Sequence, residues 1–512
     1  MAMRYRKYLT FFAVLPLYLA IGGYRFGTGD HVSQLPTVLH FFNPHLYQTD
    51  FRLQMIFPWY VKSGLFISLA WLSRILHIPL EYVFFAVFCL VLWFFLVEVD
   101  ELLALLGVER QVRTLAILLM LPFSYLFPSI SHFHLVTLRL VPYFFVLPFC
   151  LKAMCLFIRR RLVAASLLTA FVFYVHQQIG LILFGILFFV LALELFMRKV
   201  EFQETLFFLL PFLALFGVHF VAMQMLGSYR GYPWFDHRWG VELLEMVRFR
   251  VPHHLLLSYS GWVEYLCFGV SLALALFLSL RLRPDNRAAQ VLSKVAVAVL
   301  LLCAAGAFFT EVYPLPIAFG LYLFRSDVIL RVIGFLAAMV ALEALVDSRF
   351  VKKANMWLFI LGVTVAASVL FLKDNIRIFI PETELVRVSR CIKEKTPQSA
   401  FILASPAIKG LRFYSERSVF VSWKSHGLFF PPDIAREWFH RMMLLCSMEE
   451  EIPCEGTPCK KLCGKNYDNM KNARLLSIAN QYGTDYLLVG TDRDLPFEKV
   501  CTSDHFILYR LK

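Results

Sequence analysis

The chain has 512 residues, 59% of them hydrophobic, 17% charged and 16% aromatic, with a formal net charge of +14. Soluble domains run nearer a quarter charged, and apolar runs of roughly 18 or more residues read as membrane spans. A water-soluble protein is therefore excluded, and so are disordered, collagen-like, coiled-coil and small disulfide-scaffold chains. The positive charge is not a nucleic-acid signal, because in a membrane chain it must first be divided between the two sides. No nucleic-acid partner is expected; membrane lipid is.

The first apolar run, about Leu9 to Gly23, follows Arg4, Arg6 and Lys7 and lacks a small-residue cleavage site, so it reads as a first helix rather than a signal peptide. Further runs lie near 81–99, 114–128, 135–158, 162–177, 179–197, 205–226, 256–280, 290–310, 318–346 and 355–373, giving eleven spans. The stretch 54–78 is apolar but interrupted by Pro58, Lys62, Arg74 and Pro79, and reads as a helix lying in the interface; a twelfth span is the alternative. With eleven spans every inner segment carries a basic cluster: Arg110/Arg113, Arg159/Arg160/Arg161, Arg198/Lys199, Arg281/Arg283/Arg287 and Arg349/Lys352/Lys353. The positive-inside bias then puts the N-terminus inside and everything after about residue 374 outside. The histidines of the membrane region fall in outer loops or at outer helix ends, which marks the outer face as the working face.

The fold class expected is mainly α: a polytopic helical membrane protein of about eleven spans, residues 1–374, with a C-terminal extramembrane α/β domain, residues 375–512. In that domain helices are expected at Glu382–Lys395, Asp433–Leu445 and Asn469–Tyr482, and strands at Ala400–Ala404, Ser418–Trp423, Asp485–Val489 and His505–Leu511. Alternation of the two suggests a layered α/β domain. It holds six cysteines, Cys391, Cys446, Cys454, Cys459, Cys463 and Cys501. On an oxidising side these allow three disulfides in fifteen pairings. A metal knuckle at Cys454, Cys459 and Cys463 is less favoured, since the paired C-x-x-C form is missing. The segment Glu449–Lys465, rich in Cys, Pro and Gly, reads as a stapled loop.

The first outer loop, 24–57, carries Asp30 directly after Gly27-Thr28-Gly29, beside His31. A carboxylate there could take a proton from a hydroxyl or hold a divalent cation, Mg or Mn; the plainer role is a helix cap. Asp50 and Arg52 read as a local ion pair. His132 and His134 could bind a metal if their segment is extended. His176-Gln177-Gln178 breaks an apolar hairpin, where polar groups must face a cavity or one another. The loop 228–255 interleaves aromatic and basic residues around Tyr229-Arg230-Gly231, Asp236 and His237, a composition suited to sugar or lipid phosphate. Asp327 and Arg331 share a helix face, so they could neutralise one another. Arg325, just before them, is the residue best suited to an anionic headgroup, since guanidinium matches phosphate geometry.

Together these features resemble the GT-C superfamily of integral-membrane glycosyltransferases, and most closely uncharacterised bacterial members. The resemblance covers most of the chain as architecture. It rests on Asp30 past the first span, the interfacial helix at 54–78, Arg139 on the helix after the second outer loop, His176 at an outer hairpin, Phe324-Arg325-Ser326-Asp327 opening a late span, and the tail Ala479-Asn480-Gln481-Tyr482-Gly483-Thr484-Asp485-Tyr486-Leu487-Leu488-Val489. The chain departs from the family in lacking an Asp-x-Asp or Glu-Asp pair in the first loop, an acid in the second, and a Trp-Trp-Asp-Tyr-Gly in the outer domain. The resemblance implies a bacterial inner-membrane enzyme that moves a sugar from a polyprenyl-phosphate donor to a glycan, lipid or protein acceptor on the outer, periplasmic face. Asp30 would then be base or cation ligand, and Arg325 a lipid-phosphate contact. A transporter or flippase, or a non-catalytic membrane scaffold, are the alternatives.

Overall fold

The computed structural model describes residues 14–16, 18–19, 22–56, 64–225, 232–345, 353–354, 376–424, 431–449 and 452–512. These form two compact units. The first comprises Met1–Arg25, Glu81–Ala222 and His253–Ile378; the second comprises Phe26–Leu80, Met223–Pro252 and Phe379–Lys512. The C-terminal residues therefore fold together with two segments taken from the N-terminal and middle parts of the chain.

The first unit is a helical bundle. Six described helices are long and apolar enough to cross a membrane: Leu80–Leu105, Gln177–Phe196, Phe202–Met223, Trp262–Leu282, Arg287–Val312 and Pro316–Leu345. Pro142–Ile158 and Leu162–Val175 are shorter apolar helices. Of the eleven expected spans, six are thus long and apolar enough among the described residues; the run 355–373 and about half of the run 9–23 lie outside those residues. The run expected from 135 starts its helix only at Pro142, whose fixed φ opens the first turn, so Arg139 lies in the preceding loop and not on the helix. Close backbone approach is achieved with small residues. A Cβ on Gly334 would come within 2.8 Å of the Ser271 Cα, so the helices carrying them meet almost backbone to backbone.

Charged side chains gather where several helix ends of this unit meet. Lys152 Nζ lies 2.8 Å from Glu101 and 3.4 Å from Glu98, and Arg159 also pairs with Glu101. Arg113 reaches Asp100 at 3.4 Å. Buried Glu194 takes Lys294 at 2.8 Å, Arg287 at 3.5 Å and Arg160 at 3.6 Å. Arg283 meets Glu343 at 2.7 Å. Carboxylates this deep in apolar surroundings need such partners.

The second unit holds a five-stranded sheet in the order β4-β3-β5-β7-β6, with β3 Phe401–Leu403, β4 Ser418–Val419, β5 Tyr486–Gly490, β6 Glu498–Thr502 and β7 Phe506–Arg510. The β4-β3-β5 part is parallel; β7 runs antiparallel to both β5 and β6. A separate two-residue parallel pair, β1 Tyr24–Arg25 with β2 Ile376–Arg377, belongs to the first unit. Helices Glu384–Lys395, Pro432–Cys446, Thr457–Asn469 and Asn472–Tyr482 accompany the sheet, and Val388, Ile392, Ile402, Leu488 and Leu508 share its core. The strand expected over Ser418–Trp423 is only two residues long. The stapled loop expected over Glu449–Lys465 contains the first part of a helix, Thr457–Asn469, which Pro458 opens. The cysteines pair as Cys391–Cys501, Cys446–Cys463 and Cys454–Cys459. Cys391–Cys501 fastens the helix Glu384–Lys395 to the edge strand β6.

The middle of the apolar stretch 54–78 lies outside the described residues. Its later part is the helix Gly64–Leu76, 13 residues long. At 1.5 Å per residue it rises about 20 Å, short of a ~30 Å hydrocarbon core. Trp71, Ile75 and Leu76 stand exposed along it, and Arg74 lies over the Phe42 ring at 3.7 Å.

Candidate functional site

In the second unit the turn before Asp30 is made by Gly27 at φ 68° and Gly29 at φ 58°, conformations that disfavour residues with a Cβ. A Cβ at Gly27 would also come within 2.6 Å of Ile380. Asp30 then occupies the N-cap of the helix His31–Phe42, but its side chain makes no capping bond. The carboxylate instead accepts from Lys424 Nζ at 3.1 Å, with the two side chains 47% and 29% exposed. The plain capping role therefore does not describe it. The Lys424 ammonium beside it competes with any Mg or Mn ion for that carboxylate.

His31, next along, is fully buried. Its Nδ1 accepts from Gly27 N at 3.1 Å, and its ring sits against Phe26 and Phe66. It holds the glycine turn in place. Asp50 does not make its ion pair with Arg52. It pairs with Arg412 at 2.5 Å, both side chains almost without solvent contact, while Arg52 donates to the Ser33 carbonyl at 3.1 Å. Asp236 caps the helix His237–Arg250 by accepting from Arg238 N at 2.9 Å, and His237 is the first residue of that helix. Tyr229-Arg230-Gly231 lie outside the described residues. A separate cleft of about 300 Å³ lies among Glu242, Glu245, Arg436, His440 and Glu449.

In the first unit Tyr322 adopts a left-handed conformation at φ 53°, which breaks the chain between Pro316–Leu321 and Asp327–Leu345. Arg325 sits in that break. Its guanidinium donates to Gln178 Oε1 and lies 3.2 Å from His176 Nε2, 4.0 Å from the Tyr322 ring centre and 4.7 Å from that of Phe133. The same His176 caps the helix Gln177–Phe196, its Nδ1 accepting from Ile179 N at 3.4 Å. Gln178 also donates to the Gly320 carbonyl at 2.5 Å, and Gln177 meets His219 at 2.8 Å. The structure thus brings Arg325, His176, Gln177 and Gln178 into one network.

Asp327 and Arg331 attract one another, as their shared helix face suggested, and each also bonds to the preceding loop. Asp327 is buried and accepts from Ile130 N at 3.0 Å. Arg331 donates to the carbonyls of Phe133 at 2.8 Å, Ser124 at 3.2 Å and Phe127. Both hold the loop 127–141 against the bundle. Within that loop the His132 ring faces His253 at 6.0 Å and the His134 ring faces Tyr125 at 5.8 Å, so the two histidines turn to different neighbours. Arg139 lies near His134 in the same loop. Among the described residues, Glu98, Glu101 and Cys155 bring three potential ligand atoms within 4.8 Å of one another, but Lys152 and Arg159 already neutralise the two carboxylates.

Sequence reasoning missed Lys424, which is separated from Asp30 by most of the chain and has no motif around it. Residues 383–445 match the family described as "Domain of unknown function (DUF6798)". That match covers the helix Glu384–Lys395, β3, β4 and most of the helix Pro432–Cys446. Comparison with curated proteins finds no match.

Proposed function

We propose that the protein is a membrane glycosyltransferase of GT-C type, moving a sugar from a polyprenyl-phosphate donor to an acceptor hydroxyl. The observation that carries this reading is Asp30: a half-exposed carboxylate at a helix start where it does no capping, held beside Lys424. In the reaction Asp30 takes the acceptor proton as the acceptor oxygen bonds to the anomeric carbon. The bond from that carbon to phosphate breaks, and polyprenyl phosphate leaves with the electron pair. In the first unit Arg325, held by His176 and Gln178, has the charge and planar shape to hold a phosphate. The basic clusters favour an outer side for the residues after about 374, and the resemblance implies a bacterial inner membrane with that side periplasmic. Positioning supplies most of the rate, with the base contributing about 10²–10⁴-fold.

The test is transfer from polyprenyl-phosphate hexoses by the full chain in nanodiscs, with released polyprenyl phosphate read by mass spectrometry. Asp30→Asn should abolish release while the melting curve stays unchanged. Release at wild-type rate from Asp30→Asn removes Asp30 from the mechanism. Release from no donor by the wild-type protein removes the transferase reading.

A further inference from the structure

Four cationic side chains from four separate segments of the second unit come together. Arg250 ends the helix His237–Arg250, Lys409 follows β3, Lys424 follows β4, and Lys460 stands in the first turn of Thr457–Asn469. Specific backbone bonds make this convergence. Gly456 N donates to the Arg248 carbonyl at 2.9 Å, Trp423 N donates to the Pro406 carbonyl at 2.9 Å, and Arg250 Nε donates to the Trp423 carbonyl at 2.6 Å. Gly464 lies one turn beyond Lys460 on the same helix face, and a Cβ there would come within 3.2 Å of Ala407. Lys460 therefore faces the loop that carries Lys409.

The charge balance of this cluster is one-sided. Burial first, and then the charges of Lys409, Arg250 and Lys424, push the half-buried Lys460 amine down to about 8. Asp30 is the carboxylate that pairs with Lys424. The first turn of Thr457–Asn469 contains no acid, so Lys460 also opposes the partial positive charge of that helix end. Gathering cations in this way costs stability unless an anion offsets it.

We infer that Lys409, Lys424 and Lys460, with the Arg250 charge behind them, form a binding site for a phosphate-type oxyanion in the second unit. Three ammonium groups on separate segments present donors to a tetrahedral anion, and first-turn backbone amides add to the field. The site does not depend on the transferase reading. The same chemistry could come from a soluble phosphorylated ligand or from a lipid headgroup.

The test uses the full chain in nanodiscs. In one arm, inorganic pyrophosphate is titrated calorimetrically into phosphatidylcholine nanodiscs. In the other, liposomes containing phosphatidylglycerol are added to protein in phosphatidylcholine nanodiscs, and the 13C signals of methylated lysines are followed. Binding is expected in at least one arm, weakened at least tenfold in Lys409→Gln/Lys460→Gln and unchanged in Lys461→Gln, a neighbouring exposed lysine. Response to pyrophosphate identifies a soluble phosphoryl ligand; response to the anionic liposomes alone identifies a headgroup. Removing the repulsion should leave the melting temperature of the double variant equal or higher, so loss of binding is separable from loss of fold. No response in either arm, or equal weakening by Lys461→Gln, overturns the site.

Discussion

Replacing Asp50 with alanine tests how the first loop is built into the second unit. Asp50 is fully buried and Arg412 is 3% exposed, with 2.5 Å between Oδ2 and Nε. The same carboxylate accepts from Leu53 N at 3.2 Å and Val419 N at 3.4 Å, and Tyr47 donates to the Arg412 carbonyl at 3.2 Å. Asp50→Ala leaves a buried guanidinium without its counter-charge, a change that costs about 3–5 kcal/mol. Set against a typical ~5–15 kcal/mol of total stability, that loosens the segment carrying Asp30. The double variant Asp50→Leu/Arg412→Leu removes both charges and should recover at least half of the loss. The measurement is a double-mutant cycle of thermal melts in detergent, with limited proteolysis between residues 26 and 56. A cost below about 1 kcal/mol for Asp50→Ala, or purely additive single effects, would refute the argument that this pair fastens the loop.

Two further outcomes follow from the same unit. Cys391–Cys501 closes a loop of 110 residues, so Cys391→Ala/Cys501→Ala should lose about 5 kcal/mol by the loop-entropy relation; an unchanged melting temperature under oxidising conditions would show that the bond constrains nothing. Lys460 gives a pH signature. Its ordinary value of 10.5 falls to about 8 in the folded chain, so between those values the unfolded chain holds the extra proton. Stability should therefore rise with pH from about 8 to 10.5, reversing the behaviour of a lysine that gains an acidic partner. Melts of wild type against Lys460→Gln isolate this group; an identical rise in both would exclude it.

The parts of this fold legible in the sequence are those where one physical signal dominates. Long apolar runs have only one stable setting, and six cysteines in one polar stretch leave few roles besides pairing. β5 was legible because Tyr486 to Val489 is a buried apolar run. The helix Thr457–Asn469 was hidden because Gly456 and Pro458 are breakers in a loop but starters at a helix N-terminus, and sequence alone does not separate those contexts. β6 was hidden because it is an edge strand whose Glu498 and Lys499 face solvent. Asp327 and Arg331 were correctly placed on one face, but their hydrogen bonds go to a loop nearly 200 positions earlier, which no local pattern encodes.

A polar side chain near a suspected site serves either the architecture or a ligand, and its surroundings distinguish the two. His31 supports a backbone turn, Asp236 caps a helix, and Asp327 and Arg331 fix a loop. Those four are architectural, though their residue types invite a functional reading. Lys409 and Lys460 are the reverse: ordinary lysines in sequence, yet folded close to one another, with Lys424 nearby paired to Asp30. Asp30 stands between the two groups, leaving its capping position and turning to the lysine cluster through Lys424. The disagreement between local charge balance and stability, rather than the presence of an acid or histidine, is therefore the better guide to where this chain meets a ligand. By that measure the second unit's lysine cluster ranks above the His132–His134 pair, and substitution of Lys409 and Lys460 should change ligand binding where substitution of His132 and His134 changes the packing of the loop.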